Sequence, residues 1–303
     1  MNKFIFLFIL CTPLVLIAQK RISKEDYKAL QLQENLLKPT AFKIIQGITS
    51  KDRFMADSLF TRQFVTALKT KNSFYFPFDS LQTISRLYAP DSSFKIFTWQ
   101  MMINDNVIRQ HGALQMRTYD GSLKLYPLID KSDVTKSLLD TIGNNKGWIG
   151  AIYYKIIQKK SSNQNYYTLI GFDENNIRSN RKIIEVLHFL NDEPTFGGRF
   201  FSFENDKPFK TSQSRYIMEY KKNASPRLNY DEELDMIIVE HLISESGKPG
   251  VAWTLVGDGD YEGFVWKAGK WIHVDKVFNQ ATPQGKEPVP VPLDKSKMGG
   301  GNN

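Results

Sequence analysis

The chain has 303 residues, a net charge of +8 and 41% hydrophobic residues, 13% of the chain being aromatic. That balance describes a globular, aromatic-rich protein long enough to bury its own core, and it excludes a disordered or collagen-like chain. Cys11 is the only cysteine, so disulfides, thiolate catalysis and cysteine-based zinc sites are excluded from the chain beyond it.

The first residues, "MNKFIFLFILCTPLVLIAQ", place Lys3 before an apolar run from Phe4 to Ile17 and a small residue, Ala18, after it. This is the pattern of a secretory signal peptide over 1–18, cut to leave Gln19 first, and the run is short for a membrane-spanning helix. Export to the periplasm, the outer-membrane surface or the medium is therefore expected, with no transmembrane segment in the mature chain. The basic residues are scattered, at most two adjoining, which argues against a nucleic-acid partner.

Residues 19–71 read as a helical N-terminal segment that packs on a β domain. "SKEDYKALQLQENLLK" has Ser23 as N-cap and is expected to stop at Pro39. A second helix fits "KDRFMADSLFTRQFVTALKT", where Ala56, Phe60, Phe64 and Leu68 form one apolar stripe.

From about Asn72 to residue 280 the period becomes 2. Short runs such as "SFKIFTWQMM", "WIGAIYYKIIQ", "NYYTLIGF", "RKIIEVLHFL" and "DMIIVEHLI" alternate with Asp-, Asn- and Gly-bearing turns. Short connections require antiparallel pairing, and "KSDVTKSLLDTI" is read as a short helix between strands. The expected fold is mainly β: an antiparallel meander forming a sandwich or open barrel with an N-terminal helical segment. A propeller is the alternative, disfavoured by the uneven spacing of the turn aspartates. The tail 281–303, rich in Pro, Gly and Lys, is expected to be disordered.

"HGALQ", "LYPLID", "WIGAIYYKII", "YYTLIGFD", "KIIEVLHF" and "YDEELDMIIVEHL" resemble uncharacterised exported proteins of Bacteroidota. The resemblance implies an exported β-rich protein and carries no activity or catalytic residue.

No nucleophile elbow, metal-binding helix, phosphate loop or dinucleotide fingerprint is present. Period-2 geometry sets Glu185 and His188 on opposite faces of one strand, and Glu240 and His241 on opposite faces of another, so neither strand forms its own dyad. His111 and His273 read as ordinary strand histidines. "GDGDYEGF" sets Asp258, Asp260 and Glu262 at alternate positions among glycines. It reads as a hairpin turn, with a calcium loop as the second reading; the twelfth loop position, Gly269, lacks the bidentate Glu that such a loop needs. Calcium is the one cofactor the sequence offers.

The favoured function is non-catalytic binding of an envelope glycan, peptide or protein partner through strand-end loops and exposed aromatics, for which Trp99, Trp148, Tyr261 and Trp266 are candidates. The alternative is a hydrolase of envelope or extracellular polymers working through carboxylates such as Asp258, Asp260 or Glu262.

Overall fold

A computed structural model of the chain describes residues 22–278, apart from 105 and 207–209. The signal segment 1–18, Cys11 and the tail 281–303 lie outside the described residues.

Two helices come first, α1 (Lys24–Gln46) and α2 (Ser50–Leu68). Ser23 caps α1 by accepting the amide of Asp26, and Thr49 with Asp52 forms a capping box at the start of α2. The expected stop at Pro39 is corrected: α1 continues through it for seven more residues. An internal proline costs about 3 kcal/mol, but the continuation buries Ala41 and Ile44, and the Thr40 hydroxyl donates to the Leu37 carbonyl at 2.8 Å. Ala56, Phe60, Phe64 and Leu68 of α2 are all buried.

The strands form three sheets. The first is β1 (Ser85–Tyr88), β2 (Phe94–Asn104), β3 (Val107–Met116) and β4 (Lys124–Ile129), in that order. The middle sheet contains β5 (Gly143–Asn144), β6 (Ile152–Ser161), β7 (Gln164–Asp173), β8 (Ser179–Leu190) and β9 (Glu193–Phe196). Its order is β5-β9-β8-β7-β6, with β12 (Arg215–Lys221) also pairing β8. The third is built from β10 (Phe201–Phe203), β11 (Lys210–Gln213), β13 (Leu228–Asp231), β14 (Met236–Ser244), β15 (Leu255–Lys267) and β16 (Lys270–Val274), ordered β11-β10-β16-β15-β14-β13. Pairing is antiparallel except between β10 and β16. Strand makes up 46% and helix 19% of the described residues, among which no sheet closes into a barrel. "KSDVTKSLLDTI" forms turns rather than the expected helix.

Three tight hairpins have both central residues at positive φ: Ser162-Asn163, Asn191-Asp192 and Ala268-Gly269. This is the left-handed two-residue turn that matches strand twist.

Side-chain alternation stacks the layers. In β2, Phe97, Trp99 and Met101 meet the helices, while Phe94 and Ile96 meet the middle sheet. In β7 and β8, Tyr167, Leu169, Ile183 and Leu187 face the first sheet, while Ile170, Ile184 and Val186 face the third. A sheet covered on both faces needs apolar residues at successive positions, which accounts for "TLIGF" and "KIIEV".

Charged side chains are fully buried in these cores at Lys95 and at the Arg215–Glu185 pair. Lys95 is fully buried on the helix side of β2, donating to the Phe76 carbonyl at 2.7 Å and the Tyr88 hydroxyl at 3.0 Å. Burial, opposed by Asp79 and Glu34 and reinforced by Arg86, pushes its amine down to about 7. Between the first and middle sheets, Arg215 and Glu185 face each other across β12 and β8, both fully buried, with Arg215 Nη2 3.1 Å from Glu185 Oε2.

Candidate functional site

β6 is the outer strand of the middle sheet, pairing only with β7. The hairpin turn at Ser162-Asn163 makes Ser161 and Gln164 a hydrogen-bonded pair, so Lys159 and Ile157 also turn their backbone groups toward β7. The N–H and C=O of Ile156, Gln158 and Lys160 therefore point away from the sheet. Among the described residues, none of these groups has a backbone partner outside the ladder. The start of β6 is covered: the Ser85 hydroxyl donates to the Tyr153 carbonyl and Tyr153 N–H donates to Thr98 at 3.0 Å.

This open edge forms the floor of a groove of about 670 Å³. Pro90 and Asp91, in the turn between β1 and β2, form one wall; Tyr230 and Glu232, at the turn between β13 and β14, form the other. A bulge at Tyr154 sets the alternation. Beyond it, Ile156 joins the core with the first sheet and Ile157 the core with the third.

Both walls are ordered by polar networks. Asp91 Oδ1 accepts from the amide and hydroxyl of Ser93 at 3.0 and 2.7 Å, and Oδ2 accepts from Tyr167 at 2.7 Å and Gln158 at 3.3 Å. Burial raises the Asp91 carboxyl, but the Ser93 and Tyr167 hydrogen bonds outweigh it and hold the group below the usual carboxylate range. Burial pushes Tyr167 up to about 12. On the other wall, Lys155 pairs with Glu232 at 2.9 Å, and Lys159 pairs with Asp235, which also accepts from Tyr230. Lys159 Nζ lies 5.5 Å from the Tyr230 ring centre and 5.6 Å from that of Trp271. Lysines commonly guard sheet edges; here Lys155 and Lys159 are engaged by Glu232 and Asp235, while Lys160 lines the groove.

The "GDGDYEGF" stretch does not form the expected hairpin turn. It lies inside β15, where Glu240 pairs with Tyr261 and Leu242 with Gly257, so Asp258, Gly259 and Asp260 together oppose His241. Gly259 takes φ +88, which bends the strand into a bulge before the ladder resumes. The true turn is Ala268-Gly269.

The three acids do not converge. Asp258 Oδ2 pairs with His241 Nδ1 at 2.8 Å, and Asp258 Oδ1 accepts the Asp260 amide at 3.0 Å. Asp260 is exposed. Glu262 turns to the rim of the third core, where Oε1 accepts from Tyr216 at 3.1 Å and Oε2 lies 3.0 Å from His273 Nε2. Among the described residues no three His, Cys, Asp or Glu side chains are grouped to hold a metal, so the calcium-loop geometry of Asp258, Asp260 and Glu262 is corrected.

His273 is also 2.7 Å from Asp206 through Nδ1 and is buried. Burial lowers its pKa, but hydrogen bonds to Glu262 and Asp206 outweigh this and raise it above the ordinary value of 6.5. Both ring nitrogens are thus engaged, and the imidazole bridges the two carboxylates. His188 lies 5.9 Å from Tyr166 and 5.4 Å from Phe200, ring to ring. It sits on the face of β8 opposite Glu185, as the alternation requires.

The aromatic candidates divide. Trp99 and Trp148 are buried and so are corrected as ligand contacts: Trp99 Nε1 donates to Asp57 at 2.8 Å and Trp148 Nε1 to Tyr153 at 2.7 Å. Trp99 is a core ring because the helices cover its face of β2, and Trp148, in the segment between β5 and β6, packs into the core between the first and middle sheets. Trp266 is partly buried against Trp271 and Tyr166, with centroids 5.3 and 5.8 Å away. Tyr261 is partly exposed, edge-on to Phe278. Neither lines the groove. The groove residues Asp91, Lys155, Gln158 and Tyr230 escape sequence reasoning because strand order, which makes β6 an edge, leaves no local signal.

No family model, no curated protein and no solved structure matches the chain.

Proposed function

We propose that the protein is an exported, non-catalytic binding protein that takes up an extended peptide segment as an added strand on β6. The observation that carries this reading is the row of backbone groups at Ile156, Gln158 and Lys160, turned away from the β7 ladder on the floor of a walled groove. Strand addition supplies affinity through main-chain hydrogen bonds and specificity through pockets for alternate side chains. Here alternate peptide side chains would meet the Asp91 wall and the Tyr230 wall. Export rests on the signal-like segment ahead of Gln19, and the resemblance to exported Bacteroidota proteins agrees with it.

The test is selection of binders from a displayed library of extended peptides, followed by Gln158→Pro and Gln158→Ala. Proline at 158 removes an outward donor and leaves the β7 ladder intact. Binding should fall about tenfold or more in the proline variant and persist in the alanine variant. Failure of any peptide to bind, or equal binding by the proline variant, overturns the proposal.

A further inference from the structure

The pole formed by the α1–α2 connection displays large apolar side chains to solvent. Ile48, between the helices, is 95% exposed, and Phe42, Ile45, Phe54 and Met55 around it are exposed as well. With a rise of about 1.5 Å per residue, all five lie within about 10 Å of the tip along the helix axes. A tip that enters a surface end-on buries such residues whichever side of the helix they occupy.

The tip is held firmly. The Arg53 guanidinium donates to the Gly47 carbonyl at 2.7 Å and the Met102 carbonyl at 2.6 Å, and the Ser50 hydroxyl donates to Ile103 at 2.6 Å. The capping box closes the first turn of α2. The apolar side chains are thus presented by a braced corner of the fold, outside its buried core clusters.

Charge indicates what covers them. Lys43 and Lys51 stand exposed at the same level. Among the described residues the acids there are Asp52, engaged by the cap and 3.6 Å from Lys43, and Asp57, which accepts from Trp99. An exposed apolar corner flanked by lysines, whose long side chains can reach the headgroups, has the composition of an interfacial anchor. We infer that the α1–α2 tip is a docking surface for an anionic lipid bilayer, inserting Ile48 and its apolar neighbours while Lys43 and Lys51 meet the headgroups. This surface is separate from the β6 groove, and either can exist without the other.

The chain from Gln19, which carries every helix and strand described, should float with vesicles containing about one third phosphatidylglycerol in phosphatidylcholine. It should bind pure phosphatidylcholine at least about tenfold less. Ile48→Asp combined with Met55→Asp should abolish flotation without changing the circular dichroism spectrum, and Lys43→Glu with Lys51→Glu should remove the preference for anionic lipid. Failure of the unaltered chain to float, or equal flotation by the Ile48→Asp, Met55→Asp variant, overturns the inference. A concentration-dependent dimer that the same variant dissolves, with no vesicle binding, overturns it in favour of self-association.

Discussion

His273 and Glu262 meet at the rim of the third core, Nε2 to Oε2 at 3.0 Å, and Asp206 takes the other ring nitrogen. A neutral imidazole has one N–H and satisfies one carboxylate; the protonated ring satisfies both. The raised pKa fixes the sign of the linkage. A group whose folded pKa exceeds its unfolded value stabilises fully below the unfolded value, about 6.5, and loses that contribution as pH rises through the folded pKa. The melting temperature of the unaltered protein should therefore exceed that of His273→Gln most near pH 6. The gap should narrow through the alkaline range. A gap that stays constant from about pH 6 to pH 9 would refute the doubly bonded imidazolium.

Lys95 acts in the opposite sense. Its folded pKa, about 7, lies below the ordinary 10.5, so the unfolded chain binds more protons between those values and stability from this site rises with pH across that window. Below about pH 7 the buried ammonium carries its full desolvation cost. Lys95→Met should compare most favourably with the unaltered protein near pH 7 and progressively less favourably toward pH 10, measured by thermal melts. A Met variant whose relative stability improves with pH would contradict the burial account.

Arg215 and Glu185 are fully buried together, and Arg215 Nη1 also donates to the Thr141 carbonyl at 2.8 Å. Removing one partner leaves the other charge unpaired in the core, so Arg215→Met should cost about 3–5 kcal/mol in urea unfolding. Adding Glu185→Leu should recover part of the loss, since an apolar pair of similar volume avoids the desolvation cost. Additive losses in the double variant would show that the pair does not act as a unit.

Asp258 and Asp260 occupy a surface bulge, with Asp258 bound to a half-exposed His241. Replacing both by Asn should change stability by less than about 1 kcal/mol. Calcium should leave the melting temperature of either form unchanged, because Glu262 is turned to His273. A calcium-dependent rise abolished by the double replacement would show that the three acids converge on an ion.

The mainly β class, the two N-terminal helices and the α2 stripe of Ala56, Phe60, Phe64 and Leu68 were legible in the sequence, because period and turn chemistry act over a few residues. The same local rule separated Glu185 from His188. Pro39 misled because a proline's cost is local, while the burial of Ala41 and Ile44 that offsets it is tertiary. Asp258, Gly259 and Asp260 looked like a turn because a bulge and a turn use the same residues; only the resumed pairing of Tyr261 with Glu240 distinguishes them. Trp99 and Trp148 looked like ligand contacts because alternation says that a side chain faces one side of a sheet, and the packing of layers decides whether that side meets solvent. The open edge of β6 was beyond reach for a similar reason: hydrogen bonding exhausts a strand's donors and acceptors only when neighbours stand on both sides, and neighbours are chosen by the whole chain.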